Sequence, residues 1–321
     1  MTDFLDPFER MIAALFTPAA VRAAERGEAD DRAWSELAAS GFLDALVPED
    51  AGGAGLSFAD IVPLWLVLGR HAVPCPVGET MIARALLAQA GRAAPNGPIA
   101  IAAQAPGAAG RVIGAALARH LLVEWEGNLY LAALPGEAGA TGELAASVRW
   151  DSETATPVGP IVAGGLRRAA AVLRAALIAG AADRLTTMTA DYANERIQFG
   201  KPIGKQQALQ QQLAVMAEDM VAARIAAHIG GAGSFPPALA AAATAKSVAS
   251  SAAARVAAIA HAVHGAIGIS EEYDLQLYTR RLQAWRLADG SESYWNRLLG
   301  AERLAAPSGS VDFVRTALAP A

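Results

Sequence analysis

The chain of 321 residues has one cysteine, five histidines and no dense run of basic residues, and each scarcity removes a class of function. Cys75 alone forms neither an internal disulfide nor a cysteine-built metal site, and reads as a part-buried structural thiol. The histidines, His261 and His264 among them, show no ligand spacing with a carboxylate cluster, so no metal is expected. Lys and Arg number 26 against 31 acidic residues, for a formal charge of -5. They are scattered, which leaves no electrostatic footprint for nucleic acid. A membrane span needs about 20 uninterrupted apolar residues. Gly230-Gly231 and Pro236-Pro237 break the longest uncharged stretches, so no span is expected. "MTDFLDPFER" has no basic region ahead of an apolar one. No secretory signal is expected, and the protein is expected to be cytoplasmic.

What the chain has is alanine and helical periodicity, with 54% of its residues hydrophobic. That suffices for a sizeable core and two or three domains. From Asp6 to about Gly91 apolar-periodic segments alternate with joints such as "ERGEADD" and "EDAGGAGLS". Trp34, Leu37 and Ala38 are expected on one helix face, with Gly41 ending that helix and Ser57 capping the next. Between Ala94 and Pro160 the period of 3.6 disappears. "LLVEWEGNLYLAAL" reads as a hairpin turning at Gly127-Asn128. Helical segments then follow at roughly 161–195, 205–230, 236–262 and 273–303, enough for a four-helix bundle. In the second of these, Leu209, Leu213, Met216 and Met220 make one apolar stripe, with Glu218 and Asp219 off it. The expected fold is mainly α with a small central β domain: an N-terminal helical domain over 1–93, a short β domain over 94–160 and a C-terminal four-helix domain over 161–321.

Three stretches together resemble the acyl-CoA dehydrogenase family of flavoproteins: "WSELAASGFLDALVPEDAGGAGLSFADIVPLWLVLGRH", "RIQFGKPIGKQQALQQQLAVMAEDM" and "HGAIGISEEYDLQLYTRRLQAWRLADGSESYW". The resemblance covers the first and last domains and implies FAD as cofactor. By it, Arg196, Phe199 and Gln207 of the second stretch contact FAD, partly across a subunit interface, with Arg196 facing phosphate. A guanidinium offers a planar fork to a diphosphate. The competing role for Arg196 is a cation at the C-terminus of the preceding helix. His264, Gly265 and Gly268, in "HGAIG", are similar to a glycine turn that brings backbone amides to a neighbouring subunit's FAD, and Ser291 matches a further flavin contact. Ala266 and Ala262 depart from the family pattern. No Thr-x-Pro loop is recognisable in "IAAQAPGAAGRVIGAALARHLL", so hydroxyl donors to the flavin are missing from that stretch.

The resemblance further implies α,β-desaturation of an acyl-CoA thioester, with electron-transfer flavoprotein or a similar carrier as acceptor. A carboxylate removes the α proton while the β carbon passes hydride to flavin. The family places its glutamate at one of two positions, here Asp289 and Arg174. Asp289 has base chemistry but is one methylene short, about 1 Å; its alternative is a loop aspartate beside Gly290. Arg174 cannot be a base, and either orients a carboxylate or is an ordinary arginine. Glu271 and Glu272 are expected as first-turn helix charges.

Two assemblies satisfy these features: a self-sufficient enzyme with Asp289 as base in a homo-oligomer, and a degenerate subunit that completes the FAD site of an active relative in a hetero-oligomer, each of tetrameric size. The second is similar to the mixed pairs that act on steroid side-chain CoA esters. A scaffold without flavin would leave the "RIQFG" turn unexplained.

Overall fold

A computed structural model describes residues 2–28, 31–134 and 145–318. Five helices come first: α1 (Thr2–Leu15), α2 (Pro18–Glu25), α3 (Asp31–Ala39), α4 (Phe58–Arg70) and α5 (Val77–Gln89). Ser57 and Asp60 close a capping box on α4, Ser57 Oγ accepting from Asp60 N at 3.2 Å and Asp60 Oδ2 from Ser57 N at 3.3 Å. Gly41 takes φ 80° just beyond α3. Leu37 is fully buried and Trp34 half-buried, but Ala38, expected on the same face, is exposed. Ala33 packs against the core in its place.

The chain then forms β1 (Ile99–Ala103), β2 (Gly110–Ile113), β3 (His120–Trp125), β4 (Asn128–Ala133), β5 (Ala145–Val148) and β6 (Thr156–Pro160). Four strands make a sheet of order β1-β3-β4-β6, parallel only between β1 and β3, while β2 and β5 pair separately. The β3–β4 hairpin turns at Glu126-Gly127, one residue earlier than expected, because Trp125 pairs with Asn128. Both turn residues have positive φ, 48° and 73°, as a two-residue turn between right-twisted strands requires. The Asn128 amide donates to Glu126 O at 3.2 Å and steadies the unfavourable first position.

Beyond the sheet come α6 (Gly165–Glu195), the short hairpin β7 (Ile197–Gln198) and β8 (Lys201–Pro202), α7 (Gln207–Gly231), α8 (Leu239–His264), α9 (Leu275–Leu287), α10 (Glu292–Ala305) and α11 (Ser310–Ala317). The buried Glu124 of β3 accepts from Leu166 N at 2.9 Å and from Gly164 N, so the sheet itself caps α6. The expected helix over 273–303 is broken into α9 and α10, since Asp289 and Gly290 take φ 57° and 105°. Glu271 and Glu272 lie exposed in the turn before α9 rather than in its first helical turn.

Met216 is fully buried and Leu209, Leu213 and Met220 are half-buried, so the stripe faces inward. Asp219, expected off it, is buried as well, because Arg255 of α8 donates to its Oδ2 at 2.7 Å. The stretch Leu239–Ile269 has the length and apolarity of a membrane-spanning helix, contrary to the expectation that no stretch would. Its alanines serve close packing against α6, α7 and α10: Ala242, Ala243, Ala245, Ala249 and Ala253 are fully buried.

Helix α6 runs through the core, and glycine sets its distance from α4. A Cβ on Gly180 would stand 1.9 Å from Leu66 O, and one on Gly69 would stand 2.1 Å from Leu177 O. Because the obstacle is backbone, Gly180→Ala is expected to force the helices apart at a cost of about 1–3 kcal/mol. Urea unfolding checks this, and an unchanged midpoint would refute the close approach.

Candidate functional site

Nine residues carry the expectation of a site, and the fold divides them into an inner and an outer group. The inner group forms where α5, α6 and the α9–α10 loop meet. Arg174 is 1% exposed. Its Nε donates to Asp289 Oδ2 at 3.0 Å, and its Nη1 donates to Glu79 Oε1 on α5. Burial alone would lower the Arg174 guanidinium, but Glu79 and then Asp289 outweigh it and hold the group above its ordinary value. Its place deep in the core is therefore that of a charged residue between two acids. The cavity beside Glu79 measures about 20 Å³ and is walled by Leu68, Cys75, Ile113, Leu177 and Trp285. That is room for about one water. Cys75 is half-buried, and burial pushes its thiol up to about 12.

Two donor groups, Lys246 Nζ and Trp295 Nε1, hold the loop that carries Asp289. Lys246 Nζ donates to the carbonyls of Arg286 and Gly290, both at 2.8 Å, and to Ser250 Oγ at 3.0 Å. Trp295 Nε1 donates to Asp289 O at 3.2 Å. Ser291 stands at the N-cap of α10, half-buried, with no side-chain capping bond.

Lys246 is fully buried, and three acceptors match the three donors of an ammonium. Burial nonetheless pulls it down to about 7; Asp289 and Glu292 oppose this, while Arg174 and Arg286 add to it. An ordinary lysine titrates at about 10.4. Between these values the unfolded chain binds more protons than the folded one, so the Lys246 contribution to stability rises as pH increases from 7 towards 10 and is lost on the way down. Lys246→Met is expected to remove that slope, worth a few kcal/mol at about 1.4 kcal/mol for each tenfold change in proton affinity. Urea titrations at pH 7 and 9.5 on both proteins measure it.

The outer group lies at the far end of α6. Arg196 is its C-cap residue, exposed, with no ion pair among the described residues. Phe199 is 93% exposed at φ 52°, followed by Gly200 at φ 78°, which together turn the β7–β8 hairpin. Gln207 is exposed at the first position of α7, whose N-terminus has no side-chain cap. Gly265 is exposed at φ 63°, and Gly268 is buried, where a Cβ would meet Leu275 Cδ2 at 2.8 Å. His264 is the enclosed side chain of this group, 3% exposed and engaged at both ring nitrogens, with Ala260 O at 2.8 Å and Tyr273 Oη at 3.3 Å.

Arg174 and Arg196 share α6 but are 22 residues apart, about 33 Å at 1.5 Å per residue. The structure thus joins Asp289 to Arg174 and separates both from Arg196, Phe199 and Gln207. A free guanidinium beside an uncapped helix N-terminus suits a diphosphate, so the outer residues fit FAD. At the inner side, a crevice of about 470 Å³ lies between the sheet and α10. Arg167 spans it, donating to Ala103 O at 3.0 Å and to Tyr294 Oη at 2.9 Å, and Gln104 lines it where hydroxyl donors are missing. A groove of about 800 Å³ beside α2 and α3 contains none of the nine residues. Glu79 and Lys246 went unnoticed in the sequence because each sits in an apolar helical run. A charge in such a run was the available signal.

The acyl-CoA dehydrogenase N-terminal domain model matches residues 2–94, and the C-terminal domain model matches residues 165–305. The two matched ranges flank the strand region. Acyl-CoA dehydrogenase IpdE2 of Mycolicibacterium smegmatis is 31% identical over 286 residues, 83% of this chain and 86% of that protein. IpdE2 of Mycobacterium tuberculosis is 35% identical over 283 residues, covering 82% and 85%. Among solved structures, the ChsE4-ChsE5 complex from Mycobacterium tuberculosis superimposes with a TM-score of 0.76 at 23% identity, covering 96% of this chain and 98% of that one. The Tcur3481-Tcur3483 steroid acyl-CoA dehydrogenase gives 0.73 at 25%, covering 94% and 99%. With both domain models matched and identities of 31% and 35% over more than four-fifths of its length, the chain belongs to the acyl-CoA dehydrogenase family.

Proposed function

We propose that the chain is a subunit of a cytoplasmic, hetero-oligomeric, FAD-dependent acyl-CoA dehydrogenase, and that its outer face completes the FAD site of a longer, active relative. The observation that carries this reading is the division of the site along α6. Arg196, Phe199, Gln207 and Gly265 are exposed, while Arg174, Asp289 and Glu79 satisfy one another beside a cavity of about 20 Å³ that is too small for an acyl chain. Arg174 and Arg196 stand about 33 Å apart along α6, which favours a cofactor met by the outer face alone. Arg196 and the α7 N-terminus hold the diphosphate, and the Gly265 turn lets a neighbouring ring approach backbone. Bound there, FAD supplies the hydride acceptor for desaturation of an acyl-CoA, and electrons pass on to an electron-transfer flavoprotein. The Tcur3481-Tcur3483 pair is a steroid acyl-CoA dehydrogenase, and steroid-derived CoA thioesters are the substrate class that we assign to this chain. We assign the domains as 1–93, 94–160 and 161–321.

The visible spectrum tests the reading. The chain purified alone with added FAD is expected to retain no flavin; co-purified with the longest neighbouring family member it is expected to carry stoichiometric flavin. Flavin bands and acyl-CoA oxidation by the chain alone would overturn it.

The 3.0 Å bond from Arg174 Nε to Asp289 Oδ2 favours a second reading, in which Arg174 orients Asp289 as base of a self-sufficient enzyme. Asp289→Asn decides between them. Full turnover in the assembly excludes Asp289 as base, whereas a loss of about 10²–10⁴ supports it.

A further inference from the structure

His264 sits in a ring cluster that ties the Arg196–Gly200 turn to the Gly265–Gly268 turn. Tyr192 lies one helical turn before Arg196, and Arg196 N donates to Tyr192 O at 2.8 Å. Its ring stacks on His264 at 4.4 Å between centroids and 22° between planes. Its hydroxyl donates to His264 O at 3.4 Å, the carbonyl immediately before Gly265. Tyr273, from the turn before α9, packs against both rings. Beneath them, buried Ala193, Ile203 and Val263 join the same two segments.

The hydrogen bonds define the state of the imidazole. Ala260 O only accepts, so His264 Nδ1 carries the proton; Nε2 is then an acceptor, and Tyr273 O–H donates to it. Burial lowers His264, the Ala260 carbonyl opposes this and His261 adds to it, for a net lowering that keeps the ring neutral. Burial, Tyr192, Glu195 and Asp274 raise Tyr273 against Arg184, which keeps its proton in place.

We infer that Tyr192, His264 and Tyr273 are positioning residues that hold the Arg196–Gly200 turn and the Gly265–Gly268 turn in fixed relation, so that both meet one FAD. The inference rests on the reading that this outer face contacts FAD. In this role the three rings act through the two turns rather than through contacts of their own with FAD. Their effect is pre-organisation, so that the two turns are not ordered at the expense of binding.

The test uses the chain alone and the co-purified complex, with FAD as probe. In the chain alone, Tyr192→Leu is expected to speed amide hydrogen exchange in 197–204 and 265–270 together, while Tyr192→Phe preserves the stack and the protection. In the complex, Tyr192→Leu is expected to raise the FAD dissociation constant about threefold to tenfold, from loss of an aromatic pair, with Tyr192→Phe restoring most of it. Arg196→Ala is measured beside them. If Arg196→Ala weakens FAD and Tyr192→Leu leaves it unchanged, the positioning role is overturned and the FAD reading stands. If neither weakens FAD, the FAD reading falls and this inference falls with it. Where Tyr192→Leu does not assemble, Tyr273→Phe removes one hydroxyl only; faster exchange in 265–270 with weaker FAD supports the role, and no change in either overturns it.

Discussion

Arg174→Leu is expected to destabilise the folded chain by about 3–5 kcal/mol, the cost of breaking a buried ion network by deleting one partner. The arginine side chain is 1% exposed, and the carboxylates it serves, Glu79 and Asp289, are 5% and 16% exposed. Removing the cation leaves two acids facing each other in the core. The neighbouring Lys246 ammonium does not replace it, since its three hydrogen bonds go to Arg286 O, Gly290 O and Ser250 Oγ. Arg174→Lys retains the charge but loses the fork that reaches Glu79 on α5 and Asp289 in the α9–α10 loop at once, and an intermediate loss is expected. Replacing Glu79, Arg174 and Asp289 together by apolar residues is expected to cost less than the single change, because the acids no longer need a partner. Urea unfolding followed by circular dichroism measures all three. A loss below about 1 kcal/mol for Arg174→Leu would mean that the network is not closed as described.

The network shows where sequence reasoning stops. Motif position singled out Asp289 and Arg174 separately, 115 residues apart, and the fold brings them to 3.0 Å. Nothing local announced Glu79, because "VGETMIARALLAQ" reads as a core helix and its glutamate faces a residue 95 positions away. Lys246 is hidden the same way in the alanine helix. Local signals fared better where the chemistry is local. The Ser57 cap acts within three residues, and the stripe ending in Met220 needs only helical spacing. The hairpin was legible, but its turn was displaced by one residue. Gly127-Asn128 looks like the better turn pair, yet the Trp125–Asn128 pairing decides the register. The break at Ala288–Ser291 was missed because apolar periodicity continues through it. Asp219 was assigned to solvent because its partner, Arg255, lies on another helix. The surroundings of His264 were not legible locally, because Tyr192 and Tyr273, which enclose it, stand 72 and 9 residues away.

The same helix carries a second arginine with opposite consequences. Arg196→Glu is expected to leave unfolding free energy within about 0.5 kcal/mol, as for an exposed residue without partners. In the co-purified complex, however, it is expected to weaken FAD at least about thirtyfold, the lower end for truncating one side of a charged hydrogen-bonded pair. Reversal of charge adds repulsion to that loss. The glutamate would also face an uncapped α7 N-terminus, where a carboxylate is favoured. It would therefore occupy the very donors that a diphosphate needs. Arg174→Leu is expected to do the reverse, lowering stability sharply while the flavin affinity of whatever complex still assembles is kept. If both substitutions weakened flavin equally, the two ends of α6 would be serving one cofactor, and the division into a closed inner site and an open outer face would be wrong. If only Arg196→Glu does, the two arginines act separately, one neutralising the acids of the core and the other serving the flavin.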